Sequence, residues 1–386
     1  MSNELPSIYW LGLMTALEHI TILDLTRLLP GAAATQMLAA FGARVIKIEQ
    51  PGLGDYARHG FGSKGVNPLF LETNRNKQSI ALDLKKDGGK LVLRQLVERA
   101  DMLIESFRPG VMDRLELGYE ALAKCNPKLI YVALSGYGQR GEYSQMAGHD
   151  LNYLGMAGVL DEIGTPAAPA MLGVQLADLA GGSYQVVMGA LIALEARHRT
   201  GTGQFVDVSM MDGVTGLLPV PYSMFKASGS PPQRGNELLS GRYACYNIYR
   251  TSDDRWITVG ALEAKFWASL CHELGCPELV PAQFSLDQTQ VKSRVAAIFV
   301  TDTAEAWFAR LRHKDCCVAP VRTIDEVHKD PHFAEHPIGM GPKLAATPGA
   351  YVSEAPALGE HTAAVLRELG YADEQIDHLK ETGITG

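Results

Sequence analysis

The 386-residue sequence predicts an α/β fold, a Rossmann-like large domain with a parallel sheet plus a small α+β domain. Three observations predict it. Short β-branched runs alternate with helical ones from about residue 20 to residue 140. A proline- and glycine-rich passage, GSPPQRGNELLSG (229–241), then interrupts the chain as a linker. Strands and amphipathic helices of a different arrangement follow over 242–330.

In order, ITILDLT reads as a buried strand, PGAAATQMLAAFG as a small-residue helix closed by Gly42, and ARVIKIE as the next strand. SIALDLK, DMLIES and KLIYVALSG are the later strands. GGSYQVVMGALIALEARHRTG (181–201) predicts a long helix, with small residues at its start, basic ones in its last turn and a glycine after it. A second helical run follows GQFVDVSMMDG. In the small domain YACYNIY and RWITVG are strands, with helices around 262–274, 288–299 and 303–313, and the tail 350–386 turns helical again. There is no internal repeat and no low-complexity tract.

With 46% hydrophobic and 20% charged residues the chain can bury a large core, more than one domain's worth. A net charge of -8 argues against a general nucleic-acid surface, which needs a concentrated positive field. The amino-terminal stretch MSNELPSIYWLGLMTALEH has no basic n-region and no Arg-rich transit pattern, no apolar run reaches the roughly 20 uninterrupted residues of a membrane span, and GITG is not a peroxisomal address. The expectation is a cytoplasmic protein without membrane contact. Cys125, Cys245, Cys271, Cys276, Cys316 and Cys317 lack zinc-site spacings and are expected reduced and buried.

The turn after the first strand, TRLLPGAAA, lacks the glycine fingerprint of dinucleotide folds, so a nicotinamide cofactor is disfavoured, and GLGD (52–55) makes a weak phosphate loop. His328, His332 and His336 have helical spacing, but Pro331 falls between the first two and no Asp or Cys joins them. No metal is expected there. Arg75, Lys77, Lys85, Arg108 and Arg114 gather around predicted strand ends, where open α/β sheets bind anions.

Asp178, in QLADLAGGSY, stands before the long helix; its simplest reading is an N-cap. Gly181 and Gly182 would let a ligand approach the helix start, where free N–H groups can stabilise an oxyanion. His149, beside Asp150 in MAGHDLNYLGMAG, reads alone as a loop-binding histidine. A histidine and a carboxylate at separate helix starts, aimed at one acyl group, would instead supply two bases on opposite faces of a carbon acid.

Taken in order, the blocks ATQMLAAFGARVIKIEQPGLGDYAR, NRNKQSIALDLK, ADMLIESFRPGVMDRLELGYE, NPKLIYVALSGYGQRG, AGHDLNYLGMAGVL, ADLAGG and RTGTGQFVDVSMMDG resemble the type III CoA-transferase family, nearest its α-methylacyl-CoA racemase branch. The resemblance implies two domains joined by long linkers in an interlocked homodimer: 1–205 large, 206–241 linker, 242–330 small, 331–349 return linker and 350–386 large again. It also implies an acyl-CoA substrate, with coenzyme A as part of that substrate and no cofactor required.

Residue by residue, it gives Asp178 the role of transferase nucleophile or racemase base, and His149 that of the second racemase base. Glu263 would hydrogen-bond His149, and Tyr246 would support the aspartate. Leu82, Lys85, Phe107, Arg108 and Arg114 match CoA-contact positions. The transferase branch fits less well, because its glutamine near the first turn is Leu29 here and its small-domain glycine run has no counterpart in NELLSGRYACY. Gln50 stands where many relatives carry arginine. Racemisation of a 2-methyl-branched acyl-CoA is thus the first functional expectation, CoA transfer the second and a silent CoA-binding protein the third.

Overall fold

Leu, Ile and Val runs flanked by glycine and helical stretches build six parallel strands in the computed structural model, which describes residues 15–60, 65–334 and 339–386. The amino-terminal stretch up to residue 14 and His336 lie outside the described residues. The strands are β1 (Thr21–Leu25), β2 (Arg44–Glu49), β3 (Lys77–Ala81), β4 (Met102–Glu105), β5 (Ile130–Ser135) and, after a two-residue pair β6 (Gly164–Thr165) and β7 (Ala168–Pro169), β8 (Phe205–Ser209). Their order, β3-β2-β1-β4-β5-β8, reverses direction of growth between β1 and β4. Such a switch point opens a crevice outside the carboxyl ends of the strands.

Helices cover the sheet on both sides, so β1 to β5 are almost wholly buried, as near-continuous apolar strands of a parallel sheet must be. Leu23, Ile46, Ile80, Leu93, Leu103 and Tyr131 share one core cluster with Val365, Leu366, Ile376 and Leu379 of the C-terminal helices. Asp83 donates its N–H to Ile384 O at 2.8 Å, binding the tail to the end of β3. Gly42 closes the Leu28–Ala40 helix at φ 98, where its missing Cβ is needed.

The small unit carries an antiparallel sheet of β9 (Tyr246–Arg250), β10 (Trp256–Gly260) and β11 (Val318–Pro320), in the order β11-β10-β9. Helices Ala264–Glu273, Thr289–Phe299 and Ala304–Leu311 belong to the same unit, and Trp267, Phe299 and Trp307 lie in its core with Tyr249 and Ile257.

The chain divides at positions other than the expected boundaries. The large unit falls in Met1–Ala157, Leu172–Leu217 and Ile338–Gly386, and the small unit in Gly158–Met171 and Leu218–Pro337. Residues 206–217 join the large unit because β8 pairs with β5 from Tyr131↔Phe205 to Ser135↔Ser209. Residues 158–171 join the small one because Arg234 donates to Asp161 O at 2.6 Å and pairs with its carboxylate.

The six cysteines are free, but only four are buried; Cys125 is half-buried and Cys317 exposed, which corrects the expectation. Cys317 sits at φ 50 in the turn before β11, where Gly260 N–H donates to its carbonyl. The helical run Ala177–Thr200 is 24 residues long and apolar enough to cross a membrane by composition alone, yet it packs in this structure against β5 and the Leu28–Ala40 helix.

Candidate active site

The switch point is occupied by a cleft of about 700 Å³ built from the ends of four strands. Thr26 and Arg27 follow β1, Gln50 follows β2, Leu82 and Lys85 follow β3, and Ser106, Phe107 and Arg108 follow β4, with Arg114 closing one side. All five residues matched to CoA contacts, Leu82, Lys85, Phe107, Arg108 and Arg114, therefore line one cleft. Arg75 and Lys77 do not. Arg75 pairs with Glu72 at 2.8 Å and lies over the Tyr351 ring, while Lys77 opens β3 at the opposite end of that strand and is fully buried against Asp24 at 3.1 Å. Burial lowers the Lys77 ammonium to about 8 although Asp24 opposes this.

A buried ionic cluster sets the walls of the cleft. Lys47 lies 2.9 Å from Asp55, and Arg58 pairs with Glu49 at 2.7 Å. Asp55 accepts from Leu28 N–H at 3.0 Å and from Ala57 N–H at 2.9 Å. It thereby ties the turn after β1, where Leu28 takes the costly φ of 62, to the loop after β2. Burial penalises the Asp24 charge, but Lys47 and Lys77 outweigh it and hold that carboxyl at about 2. Glu105, at the end of β4, accepts from Phe107 N–H at 2.6 Å, and burial pushes it up to about 8.

The second locus lies on helix Asp150–Met156 and the run that contains Asp178. His149 precedes that helix in extended conformation, exposed, with its N–H donated to Asn152 Oδ1 at 3.0 Å. Gly148 lets this loop lie on two tyrosines, since a Cβ there would fall 2.7 Å from Tyr137 Oη and from Tyr153 Cε1. Asp150 then accepts the Asp178 N–H at 2.9 Å, so the structure links the two candidate bases through His149's neighbour. Burial, and after it the Asp150 charge, raises the Asp178 carboxyl to about 7. Tyr153, pushed up to about 12 by burial and then by Asp178, donates to Gly148 O at 2.5 Å.

Two expectations are corrected here. Asp178 is no N-cap: Ala177–Ser183 forms a π-helical turn capped by Leu176 and continuous with the Tyr184–Thr200 helix. Gly181 and Gly182 consequently lie inside the helical run, buried, and not at its start. A Cβ on Gly181 would meet Met210 O at 2.3 Å and one on Gly182 would meet Met210 Cγ at 3.0 Å, so they permit close packing of the Met210–Thr215 helix.

Glu263 and Tyr246 belong to the small unit. Glu263 is exposed at the N-cap of the Ala264–Glu273 helix, and Tyr246 opens β9 opposite Gly260. The Glu263 charge, after burial, raises the thiol of Cys317. A separate hollow of about 920 Å³ in this unit, between residues 224–242 and the start of the Thr289–Phe299 helix, holds none of the candidate residues. Among the described residues no group of three or more His, Cys, Asp or Glu is placed to hold a metal. Sequence reasoning missed Arg27, Asp55, Tyr56 and Tyr153; Arg27 was visible as the residue just after the first strand.

An open parallel sheet with a cation-lined cleft at its switch point defines a doubly wound α/β protein with a place for an anionic ligand. The family model for CoA-transferase family III matches residues 17–362, and the chain belongs to that family. It is 37% identical over 387 residues to alpha-methylacyl-CoA racemase of Homo sapiens, covering 96% of this chain and 97% of that protein. It is 32% identical to succinyl-CoA–D-citramalate CoA-transferase of Chloroflexus aurantiacus, over 94% and 96% of the two chains. A crystal structure of a CAIB/BAIF family protein from Brucella suis superposes with a TM-score of 0.79 at 30% identity, covering 92% of this chain and 99% of that one.

Proposed function

We propose that the chain racemises 2-methyl-branched acyl-CoA thioesters by moving a proton on and off the α-carbon. The observation that carries this reading is Asp178, whose carboxyl is raised to about 7 and whose backbone N–H donates to Asp150, the residue beside His149. A base poised near neutral pH can both take and return a proton. In this reading His149 and Asp178 face opposite sides of the α-carbon. Coenzyme A enters as part of the substrate, held by Lys85, Arg108 and Arg114 around Phe107 and Leu82, and no further cofactor is needed.

The enolate oxygen needs donors that Gly181 and Gly182, sealed in the helix, do not offer. Either enantiomer incubated in deuterated water should gain deuterium at the α-carbon and approach the same racemic mixture. No exchange across a range of chain lengths sinks the reading. His149→Ala should slow exchange from one enantiomer more than from the other.

The 32% identity to a CoA-transferase favours one alternative, attack of Asp178 on the thioester carbonyl. Thiolate departure would leave a mixed anhydride; the CoA thiolate then attacks its aspartyl carbonyl, the donor acid leaves as its carboxylate, and an aspartyl-CoA thioester remains for the acceptor acid. Hydroxylamine added during turnover with an acceptor acid should then mark Asp178 by mass. An unmarked aspartate excludes transfer under those conditions.

A further inference from the structure

We infer that Arg27 grips a phosphate of the CoA nucleotide, supplying the charge that the β2 side of the cleft lacks at Gln50; this rests on the CoA reading of the cleft. The Arg27 guanidinium lies 4.9 Å from the Tyr56 ring centroid and 4.9 Å from that of Phe107, wedged between the loops after β1, β2 and β4. One of its five N–H groups is used, by Nη1 donating to Tyr56 Oη at 3.1 Å. Among the described residues no carboxylate pairs with it. An arginine half-buried in a cleft and left without an anion is the group that recognises phosphate, through its planar fork.

The surroundings hold that fork in place. Arg27 N–H donates to Ser106 Oγ at 2.9 Å, and the next amide, Leu28 N–H, donates to Asp55 at 3.0 Å. The two rings fix the plane of the guanidinium, which lowers the entropy lost when a phosphate binds. Gln50 lines the same cleft with a neutral amide and can add only a weaker hydrogen bond. The loop after β1 thus carries the anion contact that β2 does not.

The test measures calorimetric affinity of the full chain for CoA and for a pantetheine thioester without nucleotide. Arg27→Gln should weaken CoA about tenfold, as loss of one charge-assisted contact does, and leave the pantetheine thioester unchanged. Equal affinity of wild type and variant for CoA overturns the inference while leaving the CoA site standing. A wild type that binds neither ligand overturns the site itself. If Arg27→Gln does not fold, wild-type protein treated with phenylglyoxal decides: CoA should protect Arg27 from labelling where the pantetheine thioester does not, and equal labelling with CoA present overturns the inference.

Discussion

The Asp178 carboxyl is raised to about 7 by two causes of different kinds, burial away from water and the Asp150 carboxylate that repels its charge. Asp150→Asn keeps an oxygen for the Asp178 N–H and removes the charge. As a base, Asp178 must be ionised, so activity should fall as pH drops through about 7. In the Asn variant that acid limb should move to lower pH by about one unit, read from a pH–rate profile. An unmoved limb would show that another group controls it. The same residue makes a stability prediction. A carboxyl whose folded pKa stands at about 7, above its ordinary 3.8, binds more protons folded than unfolded, so stability declines as pH rises from about 4 to 7 and stays lower beyond. Asp178→Asn escapes that decline. It should melt higher than wild type at pH 8, by about 1–2 kcal/mol after allowance for solvent around a half-buried group, with the gap closing towards pH 4. Of this locus, the sequence offered His149 and Asp178 as candidate bases. It could not reveal that the Asp178 N–H donates to Asp150, because that 2.9 Å bond joins residues 28 apart in the chain.

The strands β1 to β5 could be read directly, since each is a short apolar run bounded by glycine, proline or polar turns. Strand β8 could not, because its exposed Phe205 and Asp207 dilute the pattern and its partner β5 lies far back in the chain. The π-helical turn was equally hidden. Glycine disfavours helix interiors, so Gly181 and Gly182 looked like a boundary, whereas they are the two positions where another helix crosses too closely for a side chain. Gly181→Ala puts a methyl 2.3 Å from the Met210 carbonyl, a backbone atom that cannot rotate away. A loss of about 1–3 kcal/mol should appear in denaturant titration. Asp178 sits in the same turn, so kcat should fall with it while CoA affinity holds; a variant as stable and active as wild type would show that the turn can give.

At the scale of the molecule, Tyr184, Met188, Leu191 and Ile192 expose an apolar stripe along one face of the Tyr184–Thr200 helix, from 40% to 62% accessible. Spacing of three and four makes them one continuous patch, which water disfavours. The homodimer expected from the resemblance would cover such a patch, and light scattering should give twice 41.8 kDa. A particle of single mass at micromolar concentration would count against that. The assignment of residues 158–171 to the small unit was beyond sequence reading, since it rests on Arg234 reaching a carboxylate more than seventy residues away. Val365, Leu366, Ile376 and Leu379 are core residues of a sheet whose first strand begins at Thr21. During synthesis the last strand of that sheet, ending at Ser209, leaves the ribosome well before the sealing helices that begin at Thr362, so an apolar face of the sheet waits uncovered and open to aggregation in the interval.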